Sequence, residues 1–241
     1  MKKCNLTIIT ITRNNFDSLK ETYYSVINSS VHPEEWIIID GNSTDKTKEY
    51  FSKLAVSGIK YFFLSEPDDG IYDAMNKGLQ IAECDFLLFL NAGDTLSEDT
   101  LPQEINGATQ LNFITTSYFG KKRTRMLPEW YGIPAPHQAF IFPNIKNPKI
   151  LYDTQYSYAA DYDYYLKFRK LGFNFRKNES GAIKYQRGGF SDGDYVKASI
   201  EKNMVVKKYF GPLMYLFVSF MDFCKIILKK ALRHKSPYVK I

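Results

Sequence analysis

Short apolar runs separated by stretches of helical spacing fill the first hundred residues. Residues 6–11 form a β-branched run that stops at Arg13-Asn14-Asn15, and residues 16–28 follow with a helical period. A second run, 36–40, ends abruptly on Asp40-Gly41, after which Ser43-Thr44-Asp45 can cap a helix over 46–54. Residues 59–64 predict a third strand, 72–82 a helix and 85–90 a fourth, apolar strand. Strands spaced by helices predict an α/β fold, with a mostly parallel sheet and helices on both faces. Ligands of such sheets bind beyond the carboxyl ends of the strands. The segments to inspect are therefore Thr12-Arg13-Asn14, Asp40-Gly41-Asn42, residues 65–70 and Asn91-Ala92-Gly93-Asp94.

Beyond residue 100 the pattern loosens. Residues 107–136 carry turn formers and a basic run, Lys121-Lys122-Arg123, without a clear period. Residues 139–142 predict a strand and 161–171 a helix. With no repeat and no linker, the chain divides into one domain, 1–200, and a helical tail, 201–241.

Composition changes this picture in the tail. The net charge of +6 is uneven: residues 200–241 hold nine Lys/Arg against Glu201 and Asp222, so the rest is nearly neutral. A basic body would suggest nucleic acid; a neutral body with a basic tail does not, and gives the tail its own partner. The tail's apolar stretch, 213–221, is nine residues long, against about 20 for a bilayer span. An amphipathic helix lying on a membrane surface fits better, with packing on the domain or on a second subunit as the alternative. Cys4, Cys84 and Cys224 form no CxxC pair, which disfavours a disulfide framework or a cysteine zinc site and suits a reducing cytosol. The N-terminus starts basic, but its apolar stretch ends without a small-residue cleavage site, so no signal peptide is read there.

The strand ends carry carboxylates and amides rather than glycine-rich phosphate loops. GxGxxG, GxxxxGK[ST] and HExxH are absent, and His32, His137 and His234 are scattered. An aspartate-rich, histidine-poor set suits a hard cation, Mg²⁺ or Mn²⁺, bridging a diphosphate.

Residues 6–13 with Ile37-Ile38-Ile39-Asp40-Gly41-Asn42-Ser43-Thr44-Asp45 resemble the N-terminal half of family 2 glycosyltransferases. Asp69-Gly70-Ile71-Tyr72-Asp73-Ala74-Met75-Asn76-Lys77-Gly78 and Phe89-Leu90-Asn91-Ala92-Gly93-Asp94 resemble the subgroup that builds bacterial O-antigen, capsule and colanic-acid repeats. His137-Gln138-Ala139, Asp161-Tyr162-Asp163 and Gly188-Gly189-Phe190-Ser191 are similar to its later landmarks. The resemblance covers residues 5–192. It implies a GT-A fold, a nucleotide-diphosphate sugar donor, inversion at the anomeric carbon and a saccharide or lipid-linked saccharide acceptor at the cytoplasmic face of the cell membrane. It places Asp40 at the nucleobase and Thr10, Thr12 and Arg13 at the nucleotide, with Asp69, Asp73, Asn76 and Asn91 beside the donor.

Asp94 falls on the metal motif, which departs from the family pattern: Asn91 stands for its first aspartate and Gly93 for a second acid. Asp161 falls on the general base, preceded by Ala160 instead of glutamate, with Asp163 in reserve; His137 falls on the acceptor side. Each position has a plainer reading as well, namely a helix cap for Asp161, turns at 68–70 and 91–94, and strand residues at 10 and 12. The eroded motifs leave a non-catalytic sugar-nucleotide-binding protein as the alternative function. A nucleotidyltransferase would require a glycine-rich N-terminal loop, which this sequence lacks.

Overall fold

The computed structural model describes residues 2–116, 127–186 and 194–234. The basic run at 121–123, the 188–191 motif and the last seven residues lie outside the described residues. Four strands, β1 (Lys2–Thr12), β2 (Val31–Asp40), β3 (Lys60–Ser65) and β4 (Phe86–Phe89), alternate with α1 (Phe16–Ile27), α2 (Thr47–Phe51) and α3 (Ile71–Ile81). They are followed by β5 (Thr95–Leu96), β6 (Thr109–Thr116), a short 3₁₀ turn (His137–Ala139), β7 (Phe140–Pro143), α4 (Ala160–Lys170), β8 (Arg176–Gln186) and α5 (Tyr195–His234).

One sheet of eight strands runs β3-β2-β1-β4-β7-β6-β8-β5. The β3-β2-β1-β4 half is parallel throughout. The expectation of a mostly parallel sheet holds only there. β7 is antiparallel to both β4 and β6, β8 is parallel to β6, and β5 is antiparallel to β8. A parallel neighbour needs a long crossover, usually helical. The stretch between β4 and β7 contains no described helix longer than the 3₁₀ turn, and β7 returns against β4.

Strand alternation divides the core between the two faces. Ile9, Ile37, Ile39, Leu87 and Phe89 point to one side, where Met75 and Leu79 of α3, Leu166 and Phe168 of α4, and Val205, Val206 and Val218 of α5 cover them. Leu6, Ile8, Trp36, Ile38 and Leu88 point to the other, under Leu19 and Val26 of α1 and Phe51 of α2. Helices thus lie on both faces. The central strands are buried on both sides, which is why they read as continuous apolar runs.

The tail helix packs on this body. α5 begins at Tyr195, and Lys208 reaches Asp163 in α4 at 2.7 Å. By length and composition Tyr195–Ile227 could cross a membrane, an 18-residue window within it having a mean hydropathy of 1.5. Gly211, at φ 87°, and Pro212 break it instead, because a proline removes a helical hydrogen bond and its ring clashes with the preceding turn. The two arms fold back on each other: Ser199 Oγ and Lys202 Nζ donate to Asp222 Oδ2 at 2.7 and 2.6 Å, and Asn203 Nδ2 donates to Ser219 Oγ at 3.3 Å.

Candidate active site

The four parallel strands end on one edge, and a cleft of about 530 Å³ opens there. Thr12, Arg13 and Asn15 line it from the end of β1, Asp68 to Ala74 from the start of α3, Asn91 and Ala92 from the end of β4, and Thr154, Tyr156 and Ser157 from the loop before α4. This volume lies within the range of ordinary small-molecule sites, about 300–1,000 Å³.

Of the residues expected at the donor, Thr12, Arg13, Asp69, Asp73 and Asn91 line the cleft. The buried Thr12 hydroxyl and Asn91 Oδ1 have no hydrogen-bond partner among the described residues. Unmet buried groups of this kind cost free energy unless a ligand or water meets them. Asp73 Oδ2 accepts from the Asp69 backbone N–H at 3.2 Å and lies 3.5 Å from Lys77 Nζ, which also reaches Glu66 at 2.9 Å. These contacts fix the loop that carries Asp68 and Asp69.

Three other positions stand behind the cleft. The Thr10 hydroxyl is fully buried and accepts from the Trp36 indole N–H at 2.9 Å. Both ends of the Asn76 amide bind the Tyr152 backbone, at 3.0 and 2.8 Å. Asp40 is fully buried, and its carboxylate accepts from the Ser43 N–H at 3.1 Å, the Ser43 hydroxyl and the Ser65 hydroxyl at 2.7 Å. Asp40 thereby joins the ends of β2 and β3.

The 3₁₀ turn brings together the remaining residues. Asn91 Nδ2 lies 3.3 Å from His137 Nε2, and the ring's Nδ1 lies 3.7 Å from Asp161 Oδ2. The next residue, Gln138, donates from Nε2 to Asp94 Oδ2 at 2.9 Å. One turn of chain therefore touches the β4 end and both of the aspartates assigned to chemistry. The sequence assigned no role to Gln138, nor to Tyr72, Tyr156 or Ser157. Its available sign for Gln138 was a place in the His137-Gln138-Ala139 landmark. The Tyr72 phenol is pushed well above its ordinary value, first by burial and then by the charge of Asp161, which places Asp161 beside the cleft wall.

Asp94 is nearly buried, at 4% exposure, in a turn shaped by Thr22. The Thr22 hydroxyl accepts from the Gly93 N–H at 2.9 Å and donates to Asp94 O at 2.8 Å. Gly93 has φ 98°, a conformation that glycine adopts at little cost and that an acidic side chain there would not. No group of three or more His, Cys, Asp or Glu side chains poised for a metal exists among the described residues. The oxygens on offer, the unpartnered Asn91 Oδ1 and the Asp94 carboxylate, nevertheless fit a hard cation that takes most of its ligands from substrate phosphates.

Asp163 is not a free carboxylate. It is fully buried, with Lys208 Nζ at 2.7 Å and the Tyr209 hydroxyl at 3.1 Å from Oδ1, and Lys167 Nζ 3.0 Å from Oδ2.

The mixed sheet, parallel in one half and edged by a strand-end cleft, is an α/β architecture of the kind that binds ligands beyond the carboxyl ends of its strands. Residues 7–170 match the model for Glycosyl transferase family 2, and the chain belongs to that family. It is 34% identical over 179 residues to an uncharacterized glycosyltransferase of Mycobacterium tuberculosis, covering 67% of this chain and 68% of the relative. Over a shorter stretch of 69 residues it is 42% identical to a PGL/p-HBAD biosynthesis glycosyltransferase of Mycobacterium bovis, covering 28% of this chain and 27% of that one. Among solved structures it is similar to the mannosyltransferase PcManGT from Pyrobaculum calidifontis in complex with GDP-Man and Mn²⁺, with a TM-score of 0.60 and 17% identity. That match covers 75% of this chain and 56% of the mannosyltransferase. S. aureus TarS 1-349 in complex with UDP-GlcNAc matches with a TM-score of 0.56 and 14% identity, over 85% of this chain and 71% of that one. At such identities the likeness is one of fold.

Proposed function

We propose that this protein transfers a sugar, with inversion, from a nucleotide-diphosphate donor to a hydroxyl of a saccharide or lipid-linked saccharide in the synthesis of a bacterial surface polysaccharide. The observation that carries the reading is the cleft itself. Thr12 and Asn91, each with a buried unpartnered oxygen, line a donor-sized space; Asp161, beside His137 and near Tyr72 of the cleft wall, supports the acceptor side.

In this reading the acceptor oxygen attacks the anomeric carbon while the bond from that carbon to the diphosphate oxygen breaks. The acceptor proton passes to Asp161, and the leaving diphosphate keeps the electron pair. A positioned general base contributes about 10²–10⁴-fold. The His137 ring stands beside the Asp161 carboxylate, and Asn91 holds the imidazole at its other nitrogen. Arg13 offers a cation to the diphosphate, the Thr12 hydroxyl and Asp69 hold the donor, and Asp73 fixes the loop beneath it. Thr10, Asp40 and Asn76 support these elements from behind. Asn91 Oδ1 and Asp94 would hold a Mg²⁺ or Mn²⁺ ion, which when bound neutralises the charge gathering on the diphosphate.

The broken helix α5 supports a place at the inner face of the membrane. Leu213, Leu216, Phe217, Phe220 and Phe223 are exposed, and the net positive charge of residues 200–241 suits anionic lipid.

The test is turnover. The purified chain is offered GDP-mannose, UDP-N-acetylglucosamine and other nucleotide sugars, with and without Mn²⁺, and released nucleotide diphosphate is measured. Release that depends on Mn²⁺, on Asp94 and on Asp161 is expected. Tight donor binding without release under any condition would make the chain a binding protein of the same fold and overturn the reading.

A further inference from the structure

The helix that carries Asp161 lacks a cap of its own. Ala159 at its N-cap makes no side-chain hydrogen bond, and the first backbone N–H groups of any helix need partners from elsewhere. The backbone N–H groups of Ala160 and Asp161 find theirs in the Tyr72 hydroxyl, and the amides that lead into the helix find theirs in α5. Glu201 Oε1 accepts from the Ser157 N–H at 3.1 Å, and Oε2 accepts from the Tyr158 and Ala159 N–H groups at 2.6 and 3.1 Å. The Tyr162 N–H goes to Asp161's own Oδ1 at 2.8 Å. A single carboxylate 42–44 residues away in sequence thus ties down three successive amides at the mouth of the helix. Two consequences meet at this point. Ser157 lines the cleft, and Asp161 lies within the first turn of the anchored helix. A carboxylate is also favoured electrostatically at a helix N-terminus, and hydrogen bonds to a charged acceptor are about twice as strong as neutral ones.

We propose that Glu201 is a positioning residue for the transfer: it sets the start of α4, and through it the place of Asp161 and of the cleft wall at Ser157. Residue 160 is alanine, so the sequence supplies no acid immediately before Asp161; a negative charge arrives at this helix start from α5 instead. The tail helix is thereby part of the active site's framework and not only an appendage. This rests on the reading of Asp161 as the base.

The experiment compares Glu201→Ala, Glu201→Gln, Asp161→Asn and the double variant Glu201→Ala/Asp161→Asn, using whichever nucleotide sugar the unmodified chain turns over, with kcat expressed per folded protein. A small misplacement of a reacting group costs up to about 10²-fold. Glu201→Ala is expected to lose about that factor in kcat, with donor KM nearly unchanged. Glu201→Gln keeps one accepting oxygen, preserves the fold if the alanine variant does not, and should recover part of the loss. Amide exchange at Ser157, Tyr158 and Ala159 should quicken in both. The double variant should be no slower than Asp161→Asn alone, since Glu201 acts through that residue. Undiminished kcat in Glu201→Ala, or losses that multiply in the double variant, would overturn the proposal. Full activity of Asp161→Asn would instead remove the base assignment, and the exchange rates would still decide whether Glu201 holds the helix start.

Discussion

Asp161 and Asp163 sit two residues apart in one helix, and the proposed function gives them opposite tasks. Replacing Asp163 with alanine removes a fully buried carboxylate that faces Lys208, Lys167 and Tyr209. The pairing is net favourable for Lys208. Burial lowers its pKa, but the hydrogen bond and charge of Asp163 outweigh this and hold the ammonium above its ordinary value. Breaking a buried pair costs about 3–5 kcal/mol when the orphaned charge cannot escape. The orphans here are lysines whose side chains are 42% and 28% exposed; they can turn toward water, so the lower end, about 3 kcal/mol, applies. For a chain of this size each kcal/mol is worth about 2–4 °C, so Asp163→Ala should melt about 6–12 °C lower. At a temperature where it is fully folded its kcat should be nearly that of the unmodified protein. Asp161→Asn should do the reverse, melting normally and losing about 10²–10⁴-fold in kcat. The assay pairs a thermal melt followed by circular dichroism with release of nucleotide diphosphate from the same samples. An unchanged melt for Asp163→Ala together with a large kcat loss would transfer the base role to Asp163 and refute the assignment.

Two further outcomes concern α5. Burial raises the pKa of Asp222, but hydrogen bonds from Lys202, Tyr131 and Ser199 outweigh it and hold the carboxyl below its ordinary value. A depressed carboxyl contributes stability above its unfolded pKa, about 3.9, and loses it as pH falls through the folded value. Melting temperature should therefore drop below about pH 4, and Asp222→Asn should flatten that drop; an unchanged pH dependence would refute the linkage. Leu213 and Phe220 are 82% and 66% exposed, so Leu213→Glu and Phe220→Glu should leave the fold intact while weakening sedimentation with phosphatidylglycerol vesicles. Burying such a side chain is worth about 1.5–3 kcal/mol, or about tenfold or more in affinity for each. Added salt should weaken the same binding. Failure of the full chain to bind vesicles, or a dimer sealed by this face in solution, would refute the membrane reading. Truncation after Phe210 is a poorer test, because it removes the fully buried Val218 and the Asp222 hydrogen bonds.

The sequence by itself determined the parallel half of the sheet, its helices and the polar segments that follow each strand. Those features rest on periods of two and 3.6 residues and on caps, all of which act between near neighbours in the chain. It also located the uneven charge and the exceptional Gly93. It missed β6, where the apolar alternation is as short as Leu111 and Phe113, and β8, a polar run interrupted by Gly181; both are held as strands by pairing with each other and with β7 and β5. The break at Gly211-Pro212 was legible as a proline within a helical pattern, but its consequence, the folding of one apolar stretch into two paired arms, was not. The resemblance set Asp161 before Asp163, but the tertiary structure alone decided their surroundings. Asp163 is fully buried against lysines from its own helix and from residue 208, and Asp161 lies 3.7 Å from a histidine 24 positions earlier. Gln138 meets Asp94, and Glu201 meets the start of α4, across 44 and 42–44 residues of chain. Such pairings depend on how packed elements meet in space, and no local period encodes them.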